Sequence, residues 1–154
     1  MEVIIMRGLP GSGKSTWAKR YRDLAGTRQH VEVLSADDGH LVEGVYRFDP
    51  KKVRQAHDDC FRNFVAAIEH EMADTIIVDN TGTAAWELSP YYRFAEINGC
   101  NVRIVRMHCD FETSCRQNIH DVPRETIWRM HQTLLTERLP AHWREEIILP
   151  NECS

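Results

Sequence analysis

Gly8-Leu9-Pro10-Gly11-Ser12-Gly13-Lys14-Ser15-Thr16 follows the apolar run Val3-Ile4-Ile5-Met6 and opens a stretch of helical character. A strand, a glycine-rich loop and a helix, in that order, make a cradle for phosphate. Gly8, Gly11 and Gly13 permit backbone angles closed to other residues, so successive N–H groups can turn inward. Those amides and the positive end of the following helix then face one anion. Lys14 adds a point charge within reach of β- and γ-phosphates, and the Ser15 hydroxyl is a ligand for Mg²⁺. The spacing G-x-x-x-x-G-K-S implies a nucleoside triphosphate site over residues 8–16, with ATP or another NTP as donor.

Outward from this loop, apolar runs alternate with helical patterns, which predicts an α/β domain with a mainly parallel sheet flanked by helices. Strands are expected at Val3–Met6, Val31–Leu34, Thr75–Asp79 and Val102–Met107. The first helix is expected from Lys14 to Leu24, ending near Gly26. Asp49-Pro50 starts another, because Asp caps and Pro suits the first helical position. Val53, His57, Cys60, Phe64, Ile68 and Met72 then recur at steps of three and four, marking one buried face with His57 as a packing residue. Further helices are read over Leu88–Ile97, Phe111–Asn118 and Arg124–Leu135, interrupted at Val122-Pro123. The tail, with Pro140 and Pro150, reads as loop except for Ile147-Ile148-Leu149.

The 154 residues suit a single domain, with 42% apolar and 27% charged residues as in ordinary globular chains. No apolar stretch approaches membrane-spanning length, so no membrane association is expected. Cys60, Cys100, Cys109, Cys115 and Cys153 form no C-x-x-C pair, and reduced thiols in a cytoplasmic setting are the expectation. The histidines show no zinc-binding spacing, so no structural metal is expected. A net charge of −4 argues against a broad nonspecific nucleic-acid surface, while leaving room for one short strand in a locally basic cleft.

In an open α/β sheet, ligands lie beyond the carboxyl ends of the strands. Asp37-Asp38, after the second strand, and Asp79, at the end of the third, therefore share a rim with the glycine loop. A carboxylate at a strand end also caps turns, so each has a structural use beside a chemical one. Phosphoryl transfer needs the γ-phosphate held, its charge neutralised and a nucleophile in line. Lys14 and Ser15 with Mg²⁺ meet the first two needs, and Asp37 is the candidate base for an acceptor hydroxyl. Asp79 is placed to reach the magnesium shell or to orient the acceptor. Thr81 and Thr83 offer hydroxyls to substrate or to the turn itself. Trp86, Tyr91 and Tyr92 offer stacking faces or packing.

Gly8–Trp17, Ser35-Ala36-Asp37-Asp38 and Ile77-Val78-Asp79-Asn80-Thr81 resemble the kinase domain of the phage polynucleotide 5′-kinase family. Arg116-Gln117-Asn118-Ile119-His120-Asp121-Val122-Pro123, continuing to Met130, is similar to that family's lid, placed here at about residues 111–135. Gly44–Pro50 and Asp79–Pro90 also resemble the P-loop kinase-like modules of Nedd-binding proteins. The resemblance implies a P-loop kinase fold and ATP-dependent phosphorylation of a 5′-hydroxyl on RNA or DNA. It implies Lys14 as phosphate ligand, Asp37 as general base and Asp79 as an acceptor-side residue. It further implies a nucleic-acid 5′ end as substrate, with any end-repair partners on separate chains. Two positions depart from the pattern. His40 stands where the family has an arginine that contacts the acceptor phosphate. Gln117 replaces the arginine before Asn118, leaving Arg116 one residue earlier as the candidate for the transferring phosphate. A kinase for a small metabolite, sugar or nucleotide is the alternative, and a nucleotide-dependent binding module without transfer is the third reading.

Overall fold

Every second side chain of β1 (Glu2–Arg7) enters a different core, which is why the strand carries an unbroken apolar run. Val3 and Ile5 face one cluster, with Phe64, Leu88 and Tyr91; Ile4 and Met6 face another, with Ala18, Val105 and Ile148. This computed structural model describes residues 1–149, so Pro150 and Cys153 lie outside the described residues.

The chain passes from β1 through α1 (Lys14–Ala25) to β2 (Val31–Leu34), matching the expected elements almost residue for residue. A 3-10 turn (Ala36–His40) leads to a small hairpin, β3 (Leu41–Val42) and β4 (Val45–Tyr46). Then come α2 (Val53–Glu69), β5 (Thr75–Val78), α3 (Ala85–Ile97) and β6 (Asn101–Met107). Two helices, α4 (Phe111–Gln117) and α5 (Arg124–Thr136), precede β7 (Glu145–Ile148). The five-stranded sheet runs β2-β5-β1-β6-β7, with every neighbouring pair parallel. β1 is therefore central, and the loop that leaves it emerges in the middle of the carboxyl rim.

Two expectations needed correction, and one element had no counterpart among them. The segment after His40 is a hairpin: Glu43 and Gly44 both have positive φ (51° and 78°), the conformation of a tight two-residue turn. The stripe on α2 is buried only in part. Cys60, Phe64 and Ile68 are covered, but His57 is exposed, so it is not the packing residue expected, and Met72 lies beyond the helix, half exposed. The tail contributes a true fifth strand. Its first residues are acidic because they pair with basic partners: Glu145 with Arg7 at 2.8 Å and Glu146 with Arg103 at 2.9 Å. Ion pairs stand there in place of the apolar run that marks an inner strand.

Local chemistry fixes the helix starts. The Asp49 carboxylate accepts from the Lys51 amide at 2.9 Å, with Pro50 beside it, as expected. α3 begins at Ala85, earlier than Leu88, because Glu87 accepts from the Ala84 amide (2.8 Å) and the Thr83 hydroxyl (3.0 Å). The paired helices α4 and α5 have a small core of their own, Ile127 and Leu134 with Phe111, Val122 and Met130, and Leu9 of the glycine loop completes it.

Candidate active site

The glycine loop is wrapped tightly. Gly11 (φ 70°) and Gly13 (φ 92°) take left-handed angles, and Gly13 precedes the first residue of α1. A Cβ on Gly11 would lie 2.7 Å from the Gln117 carbonyl carbon, so α4 rests directly on the loop. The Ser114 hydroxyl donates to the Pro10 carbonyl at 2.6 Å, and the Gly8 amide to the Thr81 carbonyl at 2.8 Å. Leu9 and Pro10 thus anchor the helical pair, while the loop amides and Ser15-Thr16 stand at the exposed N-terminus of α1.

Lys14 is buried and its ammonium donates to the Leu9 carbonyl at 2.7 Å. Burial pulls its pKa below that of an ordinary lysine, and the charges of Asp79 and Asp37 oppose that pull.

Asp79 follows β5, and its amide donates to the Leu34 carbonyl at 2.8 Å. Burial raises the Asp79 pKa, outweighing the opposing influence of the nearby Ser15 hydroxyl and of the Lys14 charge. Its Oδ1 is buried without a hydrogen-bond partner, as is the Ser12 hydroxyl oxygen. Two unpartnered buried oxygens beside a phosphate cradle are unmet bonding capacity. Ser15 Oγ and the Asp79 carboxylate are hard oxygen donors that fit Mg²⁺, which takes few protein ligands and completes its shell with phosphate and water. No cluster of three or more His, Cys, Asp or Glu able to cage a metal occurs among the described residues.

Asp37 lies in the turn that follows β2. That turn is capped by Ser35, whose hydroxyl oxygen accepts from the Asp37 amide at 3.2 Å and whose hydrogen goes to the Asp79 carbonyl at 3.1 Å. The Ala36 amide donates to Asn80 Oδ1 at 2.9 Å, so the loops bearing the two acids are stitched together. The Asp37 carboxylate is free of capping duty. It is 53% exposed, close enough for Lys14 and Asp79 both to feel its charge, and His120 Nε2 lies 3.5 Å from it.

Other expected residues sit elsewhere. His40 is buried under the hairpin, accepts from the Asp49 amide through Nδ1 at 3.4 Å, and packs on Tyr46 and Phe48. That is a packing position, and the structure does not bring it to the rim. Arg116 is exposed and donates to Thr113 Oγ1, 2.9 Å away on its own helix. Thr81 borders the cradle through its carbonyl, and Thr83 serves the start of α3. Tyr91 and Tyr92 are buried, whereas Trp86 is 77% exposed. Two residues escaped the sequence reading. His120 stood inside the lid block without an assigned role. Arg7, 1% exposed, donates to the Gly82 and Thr83 carbonyls and to Glu145, pinning the loop after β5 to β1.

The protein is 36% identical over 132 residues to human NEDD4-binding protein 2, covering 83% of this chain and 7% of that protein. It is 27% identical over 143 residues to human YLP motif-containing protein 1, covering 77% of this chain and 6% of that one. The chain thus spans less than a tenth of either relative. Among solved structures, the Pnkp1/Rnl/Hen1 RNA repair complex superposes with a TM-score of 0.68 at 17% identity, over 87% of this chain and 44% of that one. Mycobacterium tuberculosis APS kinase CysC gives 0.66 at 14% identity (97% and 88%). A Sinorhizobium meliloti gluconokinase gives 0.58 at 18% (96% and 82%). These structures share the α/β P-loop kinase fold. The family model described as an AAA domain, AAA_33, matches residues 3–133, and the chain belongs to that P-loop kinase family.

Proposed function

We propose that the protein is a Mg²⁺-dependent kinase that transfers the γ-phosphoryl group of ATP to the 5′-hydroxyl of an RNA or DNA strand. One observation carries the transfer step: the Asp37 carboxylate is solvent-accessible, unused by its turn, and within the electrostatic reach of Lys14 and Asp79. A carboxylate in that position accepts the acceptor's proton as its oxygen bonds to the γ-phosphorus. The bond from the γ-phosphorus to the β–γ bridging oxygen breaks, and ADP leaves. The loop amides and Lys14 hold the phosphates and meet the charge that builds on them. Mg²⁺, held by Ser15 and Asp79, would neutralise the β- and γ-oxygens. Lys14, Asp37 and Arg116 are the proposed catalytic groups; Arg116 is exposed on α4, where it donates to Thr113 Oγ1, and it reaches the transferring phosphate if the lid bends.

A polynucleotide acceptor is supported by the lid block Arg116–Met130 and by likeness to the RNA-repair kinase. A small-molecule acceptor is the second reading, favoured by the net charge of −4 and by the packing position of His40. The test is labelled ATP and Mg²⁺ with 5′-hydroxyl oligonucleotides beside a panel of sugars and nucleosides. Label on the oligonucleotide end is the expected result; label on a panel member alone assigns the small-molecule reading. ATP binding without any product assigns a nucleotide-dependent binding module.

A further inference from the structure

The first two positions of the α2 stripe are not packed into the core. Val53 and His57, with Phe61 beside them, line a recess of about 540 Å³ between α2 and α3. Trp86 and Tyr91 of α3 form the facing wall, with Asn80 between the helices. The volume lies in the range of small-molecule sites.

Its chemistry selects a flat, neutral ring. Phe61 and Tyr91 meet edge to face at 5.2 Å, and the exposed Trp86 indole adds a free stacking surface at the mouth. Of the charged side chains that line it, Arg54 and Asp58 are of opposite sign and 4.0 Å apart and Glu87 is acidic, so the recess offers no net attraction to phosphate. Asn80 connects it to the reaction. Its Oδ1 holds the Ala36 amide, next to Asp37, and its Nδ2 donates to the Tyr91 hydroxyl at 3.5 Å. The wall of the recess and the turn that carries the proposed base are therefore one hydrogen-bonded unit.

We propose that this recess receives the base of the acceptor's terminal nucleoside, stacked on Trp86, while that nucleoside's 5′-hydroxyl lies at Asp37. The inference rests on the polynucleotide kinase reading and adds a base-binding subsite to it.

The test pairs two substrates with two proteins: an oligonucleotide with an ordinary 5′-terminal nucleoside and the same strand with an abasic 5′ residue, each given to wild type and Trp86→Ala. Base stacking on an aromatic residue corresponds to about a 5- to 150-fold effect. Wild type should show a KM for the abasic end higher by that factor. Trp86→Ala should raise KM for the ordinary end similarly, leaving the abasic KM and both kcat values near wild type. Equal KM for the two ends in wild type overturns the subsite, as does a Trp86→Ala loss of the same size on both substrates. In either case the kinase reading survives. If wild type phosphorylates neither end while still binding ATP, the underlying reading fails and the subsite fails with it.

Discussion

His120 Nε2 stands 3.5 Å from Asp37 Oδ2, so the segment joining α4 to α5 reaches the acid beyond β2. The Tyr46 ring lies 4.2 Å from the imidazole, and His120 Nδ1 is buried without a partner. A part-exposed contact of this length adds little to stability. Its meaning is positional: the helical pair touches the glycine loop through Ser114 and Pro10, and Asp37 through His120. His120→Ala should therefore leave the melting temperature almost unchanged. It should lower kcat/KM for the acceptor by about 2- to 10-fold, the worth of one hydrogen bond. Steady-state kinetics with a thermal melt on the same preparation checks both.

Asp37→Asn keeps the shape of the side chain and leaves the Ser35 cap intact. Loss of a general base should slow transfer by about 10²- to 10⁴-fold. ATP affinity should hold or improve slightly, since one negative charge near the triphosphate is gone. Single-turnover rates and an ATP titration separate these effects. A collapse of ATP affinity would place Asp37 on the nucleotide side and remove its role as base.

Lys14→Ala removes a cation buried in the cradle. Its loss should cost about 3–4 kcal/mol of transition-state stabilisation, seen as a fall in kcat of about 10²- to 10³-fold. Arg116→Ala provides a contrast, because among the described residues its hydrogen bond is to Thr113, on its own helix. A kcat reduced more than KM would put its guanidinium on the transferring phosphate. An unchanged kcat would leave it a surface residue.

The cradle and the inner strands were legible because local signals and burial agree there. Val3–Met6 and Thr75–Val78 are apolar at every position but Thr75, as strands covered on both faces must be. β7 was half hidden because its position beside β6 is bought with ion pairs to Arg7 and Arg103 that lie 138 and 43 residues away in sequence. The β3–β4 hairpin has two-residue strands, too short for any alternation to register. At the site, Lys14, Ser15, Asp37 and Asp79 followed from loop chemistry and strand ends. His40 did not, since its neighbours Tyr46 and Phe48 come from the hairpin that folds back over it. His120 carried no local signal of its contact with Asp37, which depends on how the α4–α5 connection lies across the rim.

Gly11→Ala tests how closely the helical pair and the loop are joined. The left-handed φ of 70° costs a residue with a Cβ about 1–2 kcal/mol, and the new methyl would meet the backbone of Gln117 and Asn118. Backbone on both sides leaves little room for relief, so α4 must shift. The variant should unfold at lower denaturant with an unchanged m-value. Hydrogen exchange should quicken in 111–123, while the β1 and β5 amides stay protected until global unfolding.

Asp79 makes stability and metal binding depend on pH in opposite directions. Burial raises its folded-state pKa above the ordinary 3.8, so the native protein keeps this proton where the unfolded chain has lost it. The resulting stabilisation is complete below 3.8 and disappears as pH rises through the raised native value. Asp79→Asn cannot titrate. Wild type should therefore lose stability relative to the variant as pH climbs through that window, a trend read from urea unfolding of both proteins at matched pH. Mg²⁺ requires the ionised carboxylate, so its affinity in the presence of ATP should rise over the same window in wild type and stay flat in Asp79→Asn. Parallel stability curves for the two proteins would show that the Asp79 carboxyl titrates as an ordinary carboxylate, and the buried, unpartnered Oδ1 would then have another role.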